Sequence, residues 1–319
     1  MSSQVLIGDA LATLKTLSGQ SAQTCITSPP YFNHRDYGVP GQLGLEQTPE
    51  QFVRKIVDVF REVRRVLKDN GTLWLNLGDS YDNRKSLLGI PWRVAFALQA
   101  DGWLLRQDII WNKPNPMPES VRDRCTKAHE YVFLLAKQPK YYFDAGAIKE
   151  PRVQAESARG FRGGSYVNGE TDNSTLGKRK TVGNTRVEAS ADPLFPYGKR
   201  NKHSVWTVTP APFKSAHFAT FPPALIEPMV LAGSKPGDTV LDPFCGAGTT
   251  GLVASQHGRN FVGIELNADY AAMSEVRIAR AVPALPGTMG PRKSVAGMRS
   301  PMCTNHLQLT FAAFEKSLQ

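Results

Sequence analysis

Two short stretches of this 319-residue chain carry side chains whose types and spacing could do chemistry. The first is Thr27-Ser28-Pro29-Pro30-Tyr31. A serine hydroxyl and a proline carbonyl are both hydrogen-bond acceptors. Two adjacent proline rings fix the backbone, so the direction of the Pro29 carbonyl is set in advance. Aimed at the two hydrogens of an amino group on an aromatic ring, Ser28 Oγ and Pro29 O would localise a lone pair that the ring otherwise withdraws. The nitrogen then becomes a nucleophile, with no covalent intermediate and no metal required. Tyr31 offers a flat face on which a planar ring can stack. The structural alternative for Pro-Pro-Tyr is a rigid turn or a short polyproline ligand.

The second stretch is Val240-Leu241-Asp242-Pro243-Phe244-Cys245-Gly246-Ala247-Gly248-Thr249-Thr250-Gly251. Gly246, Gly248 and Gly251 have GxGxxG spacing after an apolar strand, which lets the backbone turn tightly and a ligand come close. Glu265 ends the next apolar run, about 20 residues on, where such folds hold ribose hydroxyls. The glycines alone suit a nicotinamide dinucleotide equally well, or a tight turn with no ligand. Asp242 favours a different cofactor. It would repel a pyrophosphate, but it can accept the ammonium of a methionine-like group. Phe244 can cover that group's apolar stem, and Thr249 and Thr250 join Gly246 and Gly248 as candidate contacts.

These corners need elements to hold them. Residues 5–17 read as a short strand ending at Gly8-Asp9 and then a helix. Thr24–Thr27 is a strand that the prolines stop. Thr48-Pro49-Glu50-Gln51 is a helix start, and the helix should run to about Leu67. Asp69-Asn70-Gly71 reads as a turn and Thr72–Leu77 as a strand. Pro91–Ala100 suits a helix, Leu104–Trp111 a strand, and Tyr131–Ala136 a strand with Tyr141–Phe143 as a candidate hairpin partner. After Phe221 come helix Pro223–Ala232, strand Thr239–Leu241, helix Thr249–His257 and strand Phe261–Glu265. Strands alternating with helices predict an α/β fold whose mostly parallel sheet is covered on both faces.

Composition narrows the function classes. The net charge of +10 suits a polyanionic partner or simply a solvated surface. No apolar run is long enough for a membrane span, and the first residues do not resemble a secretory signal, so a cytoplasmic protein is expected. Cys25, Cys125, Cys245 and Cys303 form no CxxC pair, which gives a zinc site no support. Between Pro151 and Val205 there are ten Lys/Arg against five Asp/Glu, with seven Gly and little apolar period. That texture marks a basic insertion or a solvated disordered loop rather than core.

Together the two motifs resemble the S-adenosylmethionine-dependent DNA amino-methyltransferases of restriction–modification systems. The likeness is to their beta group, in which the catalytic motif precedes the cofactor motif. It covers roughly residues 4–150 and 203–280. It implies a Rossmann-like fold with a seven-stranded sheet, S-adenosyl-L-methionine as cofactor and double-stranded DNA as partner. A cognate restriction endonuclease and a homodimer are left open. By this resemblance Ser28, Pro29, Pro30 and Tyr31 are catalytic. Asp9 resembles the acid that contacts the cofactor adenine, and it also suits a helix N-cap. His217 and Phe218 resemble the segment closing over the methionine end. The chain divides into a catalytic half (1–150), a target-recognition insertion (151–205), a cofactor half (206–282) and a tail (283–319). Within the insertion Arg159, Arg162, Lys178, Arg179, Lys180, Arg186, Lys199, Arg200 and Lys202 are candidates for phosphate or guanine contacts. His34–Gly38, Trp111–Pro114 and Lys127–Glu130 resemble stretches lining the same face.

A Ser at the head of the tetrapeptide is more usual among cytosine-N4 relatives, and Asp or Asn among adenine-N6 ones. Methylation at carbon five is disfavoured, because no cysteine directly follows a proline. A catalytically idle DNA-binding protein, a nicotinamide-dependent oxidoreductase, and an RNA or protein methyltransferase are the competing classes.

Overall fold

Short β-rich runs end at Gly, Asp or Pro, and the apolar period then changes from two to three or four, so strand and helix alternate. The computed structural model describes residues 2–152, 198–210 and 221–281. The first half holds β1 (Ser3–Ile7), α1 (Ala10–Thr16), β2 (Ala22–Thr27), α2 (Pro49–Val66), β3 (Leu67–Leu77), α3 (Ile90–Ala100), β4 (Leu104–Asn112) and β5 (His129–Ala136). A two-residue pair, β6 (Glu150–Pro151) with β7 (Lys199–Arg200), precedes β8 (Val205–Thr207). Then come α4 (Pro223–Gly233), β9 (Thr239–Asp242), α5 (Thr249–Gln256), β10 (Asn260–Glu265) and α6 (Ala268–Ala279).

Eight of these strands form one sheet in the order β1-β10-β9-β2-β3-β5-β4-β8. Only β5 runs against its neighbours. The seven expected strands are present, and β8 adds a three-residue eighth beside β4. Strands β2 and β9 are far apart in sequence but paired in the sheet, with Cys25 opposite Leu241. That pairing brings the loops that follow both strands to the same end of the sheet, where open α/β folds bind ligands.

The period-two alternation of the central strands serves two cores. Cys25, Leu73, Leu75, Phe133 and Leu135 face the helices α1, α2 and α3. Ile26, Trp74, Val132 and Leu134 face α4, α5 and α6. Helix α2 shows how the local sequence builds one layer. Thr48 caps it by accepting from Gln51 N at 3.3 Å, Pro49 opens it, and Phe52, Ile56, Phe60 and Val63 form its buried stripe.

Three expectations change. Asp69-Asn70-Gly71 is not a turn ahead of the strand but a bulge inside β3. Ala22 pairs with Leu67, and Thr24 already pairs with Thr72. The surplus residues loop out of the pairing, and a Cβ at Gly71 would sit 2.9 Å from the Lys68 carbonyl. Tyr141–Phe143 does not pair with β5, because β3 and β4 already occupy both of its edges. Instead Tyr142 N donates to Asn70 O at 2.9 Å, and Phe143 stacks on Trp74. Helix α6 was not expected. Asn267 caps it by accepting from Asp269 N and Tyr270 N, and Ser274 and Ile278 pack beneath.

The pair β6–β7 sets Glu150–Pro151 beside Lys199–Arg200, and Arg152 N donates to Gly198 O at 3.1 Å. No described helix is long and apolar enough to cross a membrane.

Candidate active site

Both motif loops open onto one cavity of about 1110 Å³. Ser28, Pro29, Pro30 and Tyr31 line it beyond the end of β2, and Phe244, Gly246 and Thr249 line it beyond the end of β9. Asp9 and Glu265, at the ends of β1 and β10, line it beside the glycine loop. The two corners therefore share a cavity.

Gly246 has φ +49, and nothing lies within 4 Å of where its Cβ would be, so the loop backbone is open to a ligand. Glu265 holds the loop: its Oε2 accepts from Gly246 N at 2.8 Å and its Oε1 from Asn267 N at 3.0 Å. Burial pushes the Glu265 carboxyl up, against those backbone donors. Each carboxylate oxygen retains acceptor capacity toward a ribose hydroxyl. Asp9 both lines the cavity and caps α1, accepting from Ala12 N at 2.8 Å. An apolar Phe244 wall, an open glycine backbone and a carboxylate at the next strand end fit S-adenosyl-L-methionine.

Asp242 is placed differently from the sequence expectation. It does not line the cavity and is fully buried. Its Oδ1 accepts from Thr27 Oγ1 at 2.6 Å and from Phe244 N at 3.1 Å, and its Oδ2 accepts from Thr250 Oγ1 at 2.7 Å. The carboxylate expected to hold a cofactor ammonium instead fastens the two corners from behind. Thr250 shares that position, so of the paired threonines Thr249 faces the cavity. Burial outweighs the three donors and pushes the Asp242 carboxyl up to about 6.

On the Ser28 side, residues from two strands, Asn76 of β3 and Glu130 of β5, meet Tyr31. Its hydroxyl donates to Glu130 Oε2 at 2.6 Å and accepts from Asn76 Nδ2 at 2.8 Å. Ser28 Oγ donates to the same Tyr31 oxygen at 3.3 Å. Lys113 Nζ pairs with Glu130 Oε1 and lies 4.3 Å from the Trp111 ring centroid. Burial and then the Glu130 charge hold the Tyr31 phenol well above its usual range. Burial alone would push the Glu130 carboxyl up, but Lys113 and the Tyr31 and Asn76 hydrogen bonds bring it below its usual value. Gly78 seats the Tyr31 ring, since a Cβ there would meet the ring at 2.5 Å.

The sequence reading set Glu130 and Lys113 among face-lining stretches and gave Asn76 no role. A polar residue within Leu73-Trp74-Leu75-Asn76-Leu77 was the available signal, because buried polar groups need partners. Cys245 is buried against Ser274, and burial pushes its thiol up, so it does not present a thiolate. Of the basic candidates, Arg200 Nε pairs with Glu150 Oε1 at 3.1 Å, Lys202 lies over Trp206, and Lys199 sits in β7. Arg159, Arg162, Lys178, Arg179, Lys180 and Arg186 lie outside the described residues, as do His217 and Phe218.

A mostly parallel α/β sheet that ends in this glycine loop and this carboxylate is the architecture of S-adenosylmethionine-dependent methyltransferases. The comparisons narrow the class. The DNA methylase family profile, that of the N6 and N4 enzymes, matches residues 22–276, and the chain belongs to this family of DNA amino-methyltransferases. It is 42% identical to the type II methyltransferase M.SmaI of Serratia marcescens, over 88% of this chain and 91% of that one. It is 43% identical to M.Cfr9I of Citrobacter freundii, over 85% and 86%. The fold matches PvuII DNA methyltransferase (cytosine-N4-specific), with a TM-score of 0.63, 20% identity and coverage of 87% and 86%. It also matches a structure described as a putative DNA modification methylase of Thermus thermophilus complexed with S-adenosyl-L-methionine. There the TM-score is 0.56 and the identity 25%, over 89% of this chain and 97% of that one. The protein is thus a DNA methyltransferase of the type II restriction–modification kind, and S-adenosyl-L-methionine is its methyl donor.

Proposed function

We propose that the protein methylates the exocyclic N4 amino group of cytosine at a specific site in duplex DNA. The observation that carries this reading is the shared cavity, with Ser28 on one side and the Gly246 loop on the other. S-adenosyl-L-methionine, when bound, supplies an electrophilic methyl group.

The chain's own residues do the rest. Phe244, Gly246, Thr249, Glu265 and Asp9 hold the donor. The target base swings out of the helix and stacks on the Tyr31 ring, which is packed closely against Gly78. Ser28 Oγ and the Pro29 carbonyl accept the two amino hydrogens and localise the nitrogen lone pair toward the donor. Pro29 is buried, and the two adjacent proline rings restrict the backbone that carries this carbonyl. Serine at the head of the tetrapeptide favours cytosine over adenine, by the resemblance of this motif to those of the cytosine-N4 enzymes. The insertion at 151–205, whose ends β6 and β7 bring together, is assigned to target recognition. Relatives that are type II methyltransferases suggest a cognate restriction endonuclease.

The test is to express the protein in a host lacking DNA methylation and sequence the DNA by a method that distinguishes modified bases. N4-methylcytosine at one recurrent sequence is expected. N6-methyladenine at that sequence would overturn the choice of base, and no amino-methylated base at all would overturn the reading.

A further inference from the structure

The buried cluster around Tyr31 is more elaborate than holding a stacking ring requires. We infer that Glu130, acting through Tyr31, turns the Ser28 hydroxyl into an acceptor and takes up the proton that the methylated amino group must lose. The inference rests on the assignment of Ser28 to that amino group.

The hydrogen-bond directions follow from chemistry. An ionised carboxylate only accepts, so at 2.6 Å the Tyr31 hydroxyl donates to Glu130 Oε2. The same rule makes Asn76 present its amide nitrogen, 2.9 Å from Glu130 Oε2 and 2.8 Å from Tyr31 Oη. With its proton committed to Glu130, Tyr31 Oη is left to accept, and the partner remaining is Ser28 Oγ at 3.3 Å. The Ser28 proton is thereby drawn toward Tyr31 Oη, Asn76 Nδ2 donates to Ser28 Oγ at 3.3 Å, and the other lone pair of Oγ is left for an amino hydrogen. Without Glu130, the Ser28 proton could point at the substrate and oppose the reaction. Asn76 is 3% exposed and the Glu130 side chain 14%, so solvent competes little for these bonds.

The same chain of atoms provides a proton path. As it bonds to the methyl carbon, the amino nitrogen gains positive charge while carrying two hydrogens, one of which leaves in the same step. One N–H bond breaks and its electron pair returns to nitrogen. The proton goes to Ser28 Oγ, the Ser28 hydroxyl proton to Tyr31 Oη, and the phenolic proton to Glu130 Oε2. The net change is one proton from nitrogen to a carboxylate, which becomes a neutral acid beside the Lys113 ammonium. Glu130 is thus a positioning residue and terminal acceptor, reached from the amino group through Ser28 and Tyr31.

The charged and titratable groups facing Glu130 are Lys113 just after β4, Tyr31 after β2, and His34 and Lys127. Lys113 is the chief group holding the Glu130 carboxyl down against burial. Glu130 should therefore protonate at higher pH once Lys113 is neutralised.

The experiment uses the full-length protein, labelled S-adenosyl-L-methionine and an unmethylated duplex, with methyl transfer measured in a single turnover. Glu130→Gln and Tyr31→Phe are expected to slow transfer about a hundredfold, with cofactor affinity and DNA affinity changed by no more than about twofold. In Lys113→Gln the acid limb of the pH–rate profile should move to higher pH, and it should vanish when Glu130→Gln is added. A merely structural role for Glu130 would not move and then remove that limb. If Glu130→Gln does not fold, wild-type transfer in heavy water decides, since two or more protons moving together should slow it. Full activity in both Glu130→Gln and Tyr31→Phe, an unmoved pH profile in Lys113→Gln, or no solvent isotope effect would each overturn the relay. Wild-type protein that transfers no methyl group would instead sink the proposed function, and that result needs no variant.

Discussion

Asp242 Oδ1 lies 2.6 Å from Thr27 Oγ1, a hydrogen bond that spans 215 positions of sequence. Thr27 immediately precedes Ser28, and Asp242 ends the strand that opens the glycine loop. With Thr250 on its other oxygen at 2.7 Å, one buried carboxylate ties the Ser28–Tyr31 corner, proposed to activate the amino group, to the glycine loop proposed to hold the donor. In-line transfer depends on the distance between the two.

Asp242→Ala should therefore damage both functions together. It leaves the Thr27 and Thr250 hydroxyls buried without their acceptor, at a cost of roughly 3 kcal/mol in stability. Cofactor affinity and single-turnover rate should both fall, as calorimetry and labelled-methyl transfer would show. A variant that lost cofactor affinity yet reacted normally at saturating cofactor would return Asp242 to the role of a direct ligand.

Asp242 also predicts a pH dependence of stability. Its folded value of about 6 lies above the ordinary 3.8. A carboxyl raised in this way contributes stability while protonated, fully so below pH 3.8, and loses it as pH rises through about 6. The loss amounts to roughly 3 kcal/mol. Asp242→Asn keeps an acceptor for Thr27 but cannot ionise. Its urea midpoint should fall less than that of the wild type between pH 4 and 7. Parallel curves for the two proteins would contradict this account.

Ser28→Ala should lower the rate of transfer by about two orders of magnitude, because one of two acceptors at the amino group is lost. Ser28 takes no part in the glycine loop, so titration calorimetry should find the cofactor dissociation constant unchanged. A matching loss of cofactor binding would count against the division of labour between the corners.

The loop glycines should separate fold from ligand. A Cβ at Gly248 would lie 2.2 Å from Ser274 Oγ, with φ at +74. Gly248→Ala should cost about 2 kcal/mol or more and lower the melting temperature. At Gly246 nothing obstructs a Cβ within the protein. Gly246→Ala should cost about 1 kcal/mol in stability while weakening cofactor binding more strongly. Equal effects on melting and binding at both positions would remove the distinction.

The sequence by itself determined the two motifs at Thr27–Tyr31 and Val240–Gly251, the alternation of strand and helix, and the basic composition of residues 151–205. Each is local: rigid prolines, glycine spacing and apolar period act over a few residues. It misread features that depend on what lies alongside in space. Asp69–Gly71 looks like a turn and becomes a bulge because β2 pairs on both sides of it. Tyr141–Phe143 has strand composition but no free sheet edge beside β5. The tertiary structure alone decided that Asp242 faces Thr27 and Thr250 and that Asn76, Lys113 and Glu130 gather around Tyr31. Those contacts arise from strand order, which sets β9 beside β2 and β5 between β3 and β4. Partners brought together by a sheet across tens or hundreds of residues leave no spacing in the chain from which to read them.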